Sequence, residues 1–407
     1  MCFGYGTTNA QVTKILFLGN SYTGVNNLPQ LIKDVALSFG DTIFSDQNIP
    51  GGYYYAAHTT NATSLSKIQA QDWDFVVLQE QSQIPSLTPA IVGSDYSVPH
   101  SITLNNLIKA NNSCTETVFY MTWGRKNGDA SFCAQHPPVC TYAGMQQELR
   151  NTYMLMADTN KATVAPVGVA WQTLRDSFPL IELYNPDESH PSLHGSYLAA
   201  CVFYSTLYQK SCIGSTYMPI GIGTGDAVMI QTIATNTVLD SLDLWRIGAN
   251  LPIANFNYSG GGTINFTNTS TNGVTYFWDF GDGNTSTQQN PNNTYAASNS
   301  YTVQLIAYSL DSCFSDTITQ NINVNITGID DLASQEEVKI YPNPANDFIQ
   351  IETSLNLISI VIMDATGKII RNLSGKTKID ISKLSRGVYF IKIIGEENII
   401  TQKFIKQ

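Results

Sequence analysis

The sequence predicts an α/β domain followed by two small β-sandwich domains, because the composition changes twice along its 407 residues. From 12 to 248, apolar strand-like segments alternate with amphipathic helical segments, which is typical of a parallel sheet covered by helices on both faces. From 249 to 327, lysine and arginine are absent, and short alternating segments rich in Asn, Thr, Ser and Gly predict an antiparallel sandwich. From 328 to 407, lysine returns, isoleucine becomes frequent, and a second sandwich of about 75 residues is predicted.

The first zone is the one that predicts a three-layer α/β/α domain. Its apolar segments read as buried strands: KILFLGN (14–20), DFVVLQE (74–80), TVFYMTW (117–123) and ATVAPVGVA (162–170). Its amphipathic segments LPQLIKDVALSFG (28–40) and YAGMQQELRNTYMLMAD (142–158) read as helices.

Composition excludes several classes of protein. The chain is 43% hydrophobic and 13% charged, which indicates a globular protein, and its formal charge of −11 disfavours a nucleic-acid partner. No segment approaches the ~18 apolar residues that a membrane-spanning helix needs, so no transmembrane segment is predicted. Residues 1–11 are interpreted as the remainder of a signal or leader segment.

Ser21 is the first candidate catalytic residue. Strand KILFLGN ends in Gly19-Asn20-Ser21, and open α/β sheets bind ligands at the carboxyl ends of their strands. A serine hydroxyl needs a neighbouring base before it becomes a good nucleophile. Taken alone, a serine at this position more often caps the following helix.

The candidate base is His190, in the segment Asp187-Glu188-Ser189-His190-Pro191. A carboxylate three residues before a histidine can hold one imidazole nitrogen while the other faces a serine. Residues 193 to 208 then read as a helix, and His194 is the competing histidine, for which a packing or surface role is expected.

Together these segments resemble the SGNH (GDSL-like) hydrolase family over roughly residues 12–248. Gly19-Asn20-Ser21 matches its first motif, G-[DN]-S, and Asp187, His190 and Pro191 match its last motif, D-x-x-H-P. The resemblance implies a Ser21 nucleophile, a His190 base and an orienting Asp187.

The resemblance also implies an oxyanion hole built from the Ser21 N–H, a glycine N–H after the second strand, and an asparagine side chain. Gly52 of the Gly51-Gly52 pair is the expected glycine. The family's G-x-N-D block is replaced by Gln79-Glu80-Gln81-Ser82, which is similar to the Q-G-E-S block of carbohydrate-esterase branches. Gln79 is the first candidate donor and Gln81 the second.

Three further residues are candidates for binding substrate. Trp123 could stack on a sugar or pack in the core, and Arg125 could bind a substrate carboxylate or hydroxyl or form a surface salt bridge. Glu80 could act on the leaving group. No cofactor is predicted, and no metal-binding constellation is visible in the first zone. Cys133 and Cys140 are close enough for a local disulfide in an oxidising compartment; a zinc site that includes His136 is the weaker alternative.

The two later zones resemble known modules. Residues 278–283 read W-D-F-G-D-G, and with this motif the middle zone resembles a PKD domain, a spacer or else a carbohydrate- or protein-binding module. Tyr341-Pro342-Asn343-Pro344, followed by Gly387-Val388-Tyr389, makes the last zone similar to the C-terminal sorting domain of the type IX secretion system. That resemblance implies a secreted or cell-surface bacterial protein that is recognised by the type IX secretion machinery.

The sequence therefore predicts a secreted serine esterase whose substrate is an acetylated poly- or oligosaccharide or another small ester. One alternative is a lipase or thioesterase that acts on longer acyl chains. The other is a surface carbohydrate-binding or adhesion protein whose hydrolase fold has lost its activity.

Overall fold

The computed structural model describes residues 12–326, 338–353, 357–395 and 399–407. The predicted leader, residues 1–11, lies outside this range. The chain divides into two compact units, one ending at Val324 and the other beginning at Asn325. The first unit contains the α/β domain and the first sandwich.

A five-stranded parallel sheet with the order β2-β1-β3-β4-β5 is the centre of the α/β domain. Its strands are β1 (Thr13–Leu18), β2 (Ile43–Asn48), β3 (Phe75–Leu78), β4 (Glu116–Tyr120) and β5 (Thr163–Ala165). The four predicted strands are present, but the last is shorter than predicted because Pro166 ends it and a helix begins at Val167. Strand β2, which the family resemblance implied before Gly51-Gly52, has no recognisable apolar pattern, because an edge strand of sequence IFSDQN is only half-buried.

Helices cover both faces of this sheet. Phe119 and Tyr120 are consecutive in β4, so their side chains point to opposite faces. Phe119 contacts Tyr55 of one helix, and Tyr120 contacts Phe203 of another. The helices are α1 (Ser21–Gly24), α2 (Leu28–Leu37), α3 (Tyr55–Thr60), α4 (Ala62–Ile68), α5 (Pro89–Val92), α6 (Ser97–Asn111), α7 (Tyr142–Asn160), α8 (Val167–Ser177), α9 (Leu193–Tyr208) and α10 (Thr224–Leu239). The predicted three-layer α/β/α architecture is thus confirmed.

The first β-sandwich packs two antiparallel sheets, β10-β7-β6 and β12-β11-β8-β9. Its strands are β6 (Phe256–Gly260), β7 (Thr263–Asn268), β8 (Thr275–Asp279), β9 (Thr285–Ser286), β10 (Asn292–Thr294), β11 (Asn299–Tyr308) and β12 (Ser315–Val324). Trp278 is fully buried at its centre, where it contacts Phe256 and Phe266. Cys313, between β11 and β12, forms a disulfide with Cys114 just before β4, so the sandwich is covalently joined to the α/β domain.

The second unit is also an antiparallel sandwich, with sheets β13-β14-β17 and β16-β15-β18-β19. Isoleucines on alternating positions, such as Ile349, Ile351, Ile360 and Ile362, form its core. The strands are β13 (Lys339–Tyr341), β14 (Phe348–Glu352), β15 (Leu357–Asp364), β16 (Ile369–Leu373), β17 (Lys378–Asp380), β18 (Gly387–Gly395) and β19 (Ile399–Lys406). Both predicted sandwiches are confirmed. No described helix is long and apolar enough to span a bilayer.

Candidate active site

Ser21 lies at the carboxyl end of β1, as the first residue of α1, and is half-buried. Asn20 caps this helix, because its side-chain oxygen accepts the Tyr22 N–H at 3.0 Å. Gly19 allows the Gln79 side chain to approach the backbone closely, since a Cβ atom at position 19 would lie 2.7 Å from the Gln79 side-chain oxygen. The serine is therefore held by a short, well-packed turn and is not itself the helix cap.

The loop before α9 brings His190 to this serine. His190 Nε2 lies 2.8 Å from Ser21 Oγ, and His190 Nδ1 is hydrogen-bonded to Asp187 Oδ2. The other carboxylate oxygen of Asp187 accepts the backbone N–H groups of Ser189 and His190 at 3.1 and 3.0 Å. Burial raises the pKa of Asp187. The hydrogen bonds to its carboxylate, that of the His190 imidazole above all, lower the pKa by a larger amount, so the net pKa lies below its ordinary value.

This arrangement is a continuous hydrogen-bonded relay of serine, imidazole and carboxylate. A negative Asp187 stabilises the His190 tautomer that keeps Nε2 free to accept the Ser21 proton. His194, the competing histidine, instead pairs with Asp226 at 3.2 Å.

An aromatic stack supports the loop that carries His190 and precedes α9. Tyr22 stacks on Trp123 with ring centroids 5.0 Å apart, and Trp123 stacks on Trp171 at 3.8 Å. The Tyr22 hydroxyl shares a 2.5 Å hydrogen bond with the Ser189 hydroxyl, and the Trp123 indole N–H donates to the Ser189 carbonyl oxygen at 3.0 Å. Sequence reasoning assigned no role to Tyr22, although its position next to the candidate nucleophile Ser21 was a signal.

Trp123 is fully buried, so it cannot stack on a sugar, and the substrate-binding prediction for this residue is wrong. Its indole is used inside the protein to fix the backbone of the histidine loop. Arg125, two residues later, keeps a partly exposed side chain, with Nη1 3.6 Å from the buried Asp129 carboxylate. It remains a candidate for substrate contact.

Gly52 lies in an exposed turn that follows β2. Its φ of +71° is in the left-handed region that favours glycine, and the Tyr53 N–H closes the turn on the Pro50 carbonyl. The Asn20 side-chain amide donates to the Tyr53 carbonyl at 2.8 Å, which ties this turn to the turn that carries Ser21.

Gln79 is fully buried and its carboxamide is engaged within the protein. Its oxygen accepts the Asn20 N–H and the Thr23 hydroxyl, both at 2.9 Å, and its nitrogen donates to the Glu80 carbonyl. This burial argues against Gln79, the first candidate oxyanion donor, because its side chain packs against the turn that carries Ser21 and is shielded from solvent.

Gln81, the second candidate, is partly exposed. Its side-chain oxygen accepts the N–H groups of Gln83 and Ile84 at 2.7 and 3.2 Å, which fixes the orientation of the carboxamide. Of the two hydrogens on its nitrogen, one is directed to the Gln83 side-chain oxygen at 3.1 Å. The other hydrogen on the Gln81 side-chain nitrogen can therefore be donated to a ligand.

Glu80 is fully buried, so the prediction that it acts directly on the leaving group is wrong. Burial raises its pKa to about 8, so the carboxyl is largely neutral at pH 7.

His58 is also buried, and burial lowers its pKa to about 4. Its Nε2 donates to the Gly19 carbonyl at 3.0 Å, and its Nδ1 accepts from the Ser64 hydroxyl at 2.7 Å, so this histidine, in its neutral form, supports the turn that carries Ser21.

The described residues contain no group of three or more His, Cys, Asp or Glu side chains that could hold a metal ion. The predicted local disulfide between Cys133 and Cys140 is present, whereas the Cys114–Cys313 pairing could not be inferred from the sequence.

Comparison with known families assigns the two later zones. Residues 254–325 match the PKD domain, and residues 339–407 match the secretion system C-terminal sorting domain. These matches confirm the predicted PKD-like and sorting modules, and the sorting domain gives the chain a secreted or cell-surface location in a bacterium. No curated protein sequence matches the chain.

Solved structures are similar to the N-terminal half. A DUF4886 family protein from Bacteroides uniformis is 19% identical over 56% of this chain and 95% of its own, with a TM-score of 0.48. A candidate SGNH hydrolase from Slackia heliotrinireducens is 27% identical over 48% and 100%, with a TM-score of 0.40. An acetylxylan esterase from Geobacillus stearothermophilus is 16% identical over 48% and 94%, with a TM-score of 0.35.

Proposed function

We propose that the chain is a secreted serine esterase in which Ser21, His190 and Asp187 form the catalytic triad. The observation that carries this proposal is the relay itself. His190 Nε2 lies 2.8 Å from Ser21 Oγ, within the range for proton transfer, while Nδ1 is bonded to Asp187.

The reaction follows from this geometry. Ser21 Oγ attacks the ester carbonyl carbon while its proton passes to His190 Nε2. The bond to the alcohol oxygen then breaks, His190 returns the proton to that oxygen, and the acyl group stays on Ser21. Water next attacks the acyl carbonyl with His190 as base, the carboxylic acid leaves, and the proton returns to Ser21 Oγ.

Negative charge develops on the carbonyl oxygen in both steps and needs fixed hydrogen-bond donors. We assign this task to the backbone N–H groups of Ser21 and Gly52 and to the Gln81 side-chain nitrogen. Gln81 replaces Gln79 in this assignment because it is partly exposed and Gln79 is not. Loss of one such donor typically lowers kcat by about 10²–10³-fold.

The proposed substrate is an acetylated poly- or oligosaccharide. The His190 and Asp187 side chains are 32% and 49% exposed, so the triad lies at an open surface that can accept a bulky alcohol. A long acyl chain instead requires an enclosed apolar pocket. The sorting domain supports an extracellular substrate, and the partly exposed guanidinium of Arg125 is a candidate contact for sugar hydroxyls or carboxylates.

The test compares hydrolysis of p-nitrophenyl acetate by the intact protein, Ser21→Ala and the control Ser94→Ala, an exposed serine. We expect the Ser21 variant to lose at least 10³-fold in kcat/KM and the control to be unchanged. A fluorophosphonate probe should label Ser21. Equal rates for all three folded proteins and no labelling would refute the esterase and favour the adhesion alternative.

The acyl preference separates the enzymatic alternatives. Rates on p-nitrophenyl esters of increasing chain length should fall beyond short acyl groups, and acetate should be released from acetylated oligosaccharides. A rate that rises with chain length would instead indicate a lipase or thioesterase.

A further inference from the structure

Glu80 bridges two loops through a single carboxyl oxygen. Its Oε1 accepts the backbone N–H of Tyr55 at 2.9 Å and that of Gln81 at 2.7 Å. These three residues and two hydrogen bonds are called the Glu80 bridge below. The carboxyl is fully buried, so no solvent molecule can replace it easily.

The two bridged N–H groups belong to the loops that carry the proposed oxyanion donors. Tyr55 begins α3 directly after the turn that contains Gly52. Gln81 supplies the proposed side-chain donor. The Gly52 turn is therefore attached at two points, at Tyr53 to Asn20 and at Tyr55 to Glu80, so the Glu80 bridge sets the distance between the Gly52 and Gln81 loops.

The neutral state of the carboxyl suits this task. Burying a charged carboxylate costs free energy, whereas the neutral carboxylic acid can still accept both N–H groups through Oε1. The groups that influence the carboxyl come from separate elements: the Ser97 hydroxyl of α6, Asp95 before it, Tyr55 of α3 and Tyr153 of α7. No cation is among them, so burial favours the protonated acid.

We propose that Glu80 is a positioning residue that holds the Gly52 and Gln81 loops at the separation required for the oxyanion hole. This inference rests on the esterase function proposed above. Glu80 does not touch the substrate, and its role requires a hydrogen-bond acceptor and no ionisable proton.

The test uses Glu80→Met, which has similar volume but no acceptor of this strength, and Glu80→Gln, whose amide oxygen can accept both N–H bonds. The matched control is Glu116→Gln, at a partly buried glutamate at the amino end of β4, which is the end of the sheet opposite to the one that carries Ser21. We expect Glu80→Met to lower kcat by about 10–100-fold with KM changed less than threefold, because only transition-state stabilisation is lost. Glu80→Gln and the control should stay within about threefold of the wild type.

Hydrogen exchange gives a readout that does not depend on activity. In Glu80→Met the amides of Tyr55 and Gln81 should exchange at least tenfold faster than in the wild type, and in Glu80→Gln they should remain protected. Unchanged protection in Glu80→Met would overturn the bridge even if the protein is no esterase. Faster exchange with unchanged kcat would overturn the positioning role.

Glu80→Gln decides the matter if Glu80→Met does not fold. A folded Glu80→Gln protein with a loss of more than tenfold in kcat would mean that the carboxyl proton is needed, contrary to the proposal. If the wild type itself shows no Ser21-dependent hydrolysis, the esterase function fails, and this outcome is distinguishable because the exchange measurement still reports on the bridge.

Discussion

The disulfide between Cys114 and Cys313 should contribute more to stability than any other single covalent feature of the chain's first unit. Cys114 precedes β4 in the α/β domain, and Cys313 lies in the β11–β12 connection of the first sandwich. Replacing both residues by serine removes the covalent link while leaving two small polar side chains of similar size.

The magnitude follows from the length of chain that the bond closes. The two cysteines are 199 residues apart. Closing a loop of this length removes roughly 18 cal/mol/K of entropy from the unfolded chain, which corresponds to about 5 kcal/mol at 25 °C. The Cys133–Cys140 disulfide spans only 7 residues and is expected to contribute about 2 kcal/mol by the same relation.

The assay is urea unfolding of the intact chain, followed by circular dichroism and tryptophan fluorescence. Cys133→Ser/Cys140→Ser serves as the matched control, and the buried free thiols Cys201 and Cys212 are left in place. We expect the Cys114→Ser/Cys313→Ser variant to lose roughly 3 kcal/mol more than the control, and the sandwich to unfold in a separate transition. Equal losses in the two variants, or no loss in the long-range one, would refute the loop-closure reasoning.

Three further outcomes are expected. The pKa of Glu80 is raised to about 8, so its contribution to stability is fully present below pH about 4.5 and is lost as pH rises to about 8. The pKa of His58 is lowered to about 4, so its contribution to stability is present above pH about 6.5 and is lost as pH falls to about 4. Glu80→Gln should therefore abolish a loss of roughly 3–5 kcal/mol that develops as pH rises from about 4.5 to about 8. His58→Gln should abolish a loss of roughly 3 kcal/mol that develops as pH falls from about 6.5 to about 4. Both losses are measured by urea unfolding across pH, and unchanged pH profiles would contradict the burial argument. Asp187→Asn should lower kcat on p-nitrophenyl acetate by about 10²–10⁴-fold, because the amide no longer stabilises the imidazolium; an unchanged rate would exclude Asp187 from the triad. Trp123→Phe should lower kcat roughly tenfold with KM for acetylated oligosaccharides unchanged, because the hydrogen bond to Ser189 and part of the stack on Tyr22 and Trp171 are lost; a selective rise in KM would mean that the ring contacts sugar after all.

The sequence alone was sufficient to predict the fold class and the juxtaposition of Ser21, His190 and Asp187. Buried parallel strands are recognisable as short apolar segments, and Ser21 follows the first of them directly. Asp187 and His190 are three residues apart, so their hydrogen bond is made within one turn and depends little on the rest of the fold. Such local relations are fixed by chain geometry, and they can therefore be predicted from spacing.

Only the tertiary structure decided how each polar or aromatic side chain near the site is used. Gln79 and Gln81 are two positions apart and chemically identical, yet Gln79 is fully buried against the turn that carries Ser21 and Gln81 is partly exposed. A role in binding substrate could be assigned to Trp123 and Glu80 from the sequence, and only their burial in the folded chain argues against it. Burial, and the pairing of cysteines 199 residues apart, depend on which distant segments pack together, and that information is not contained in local spacing.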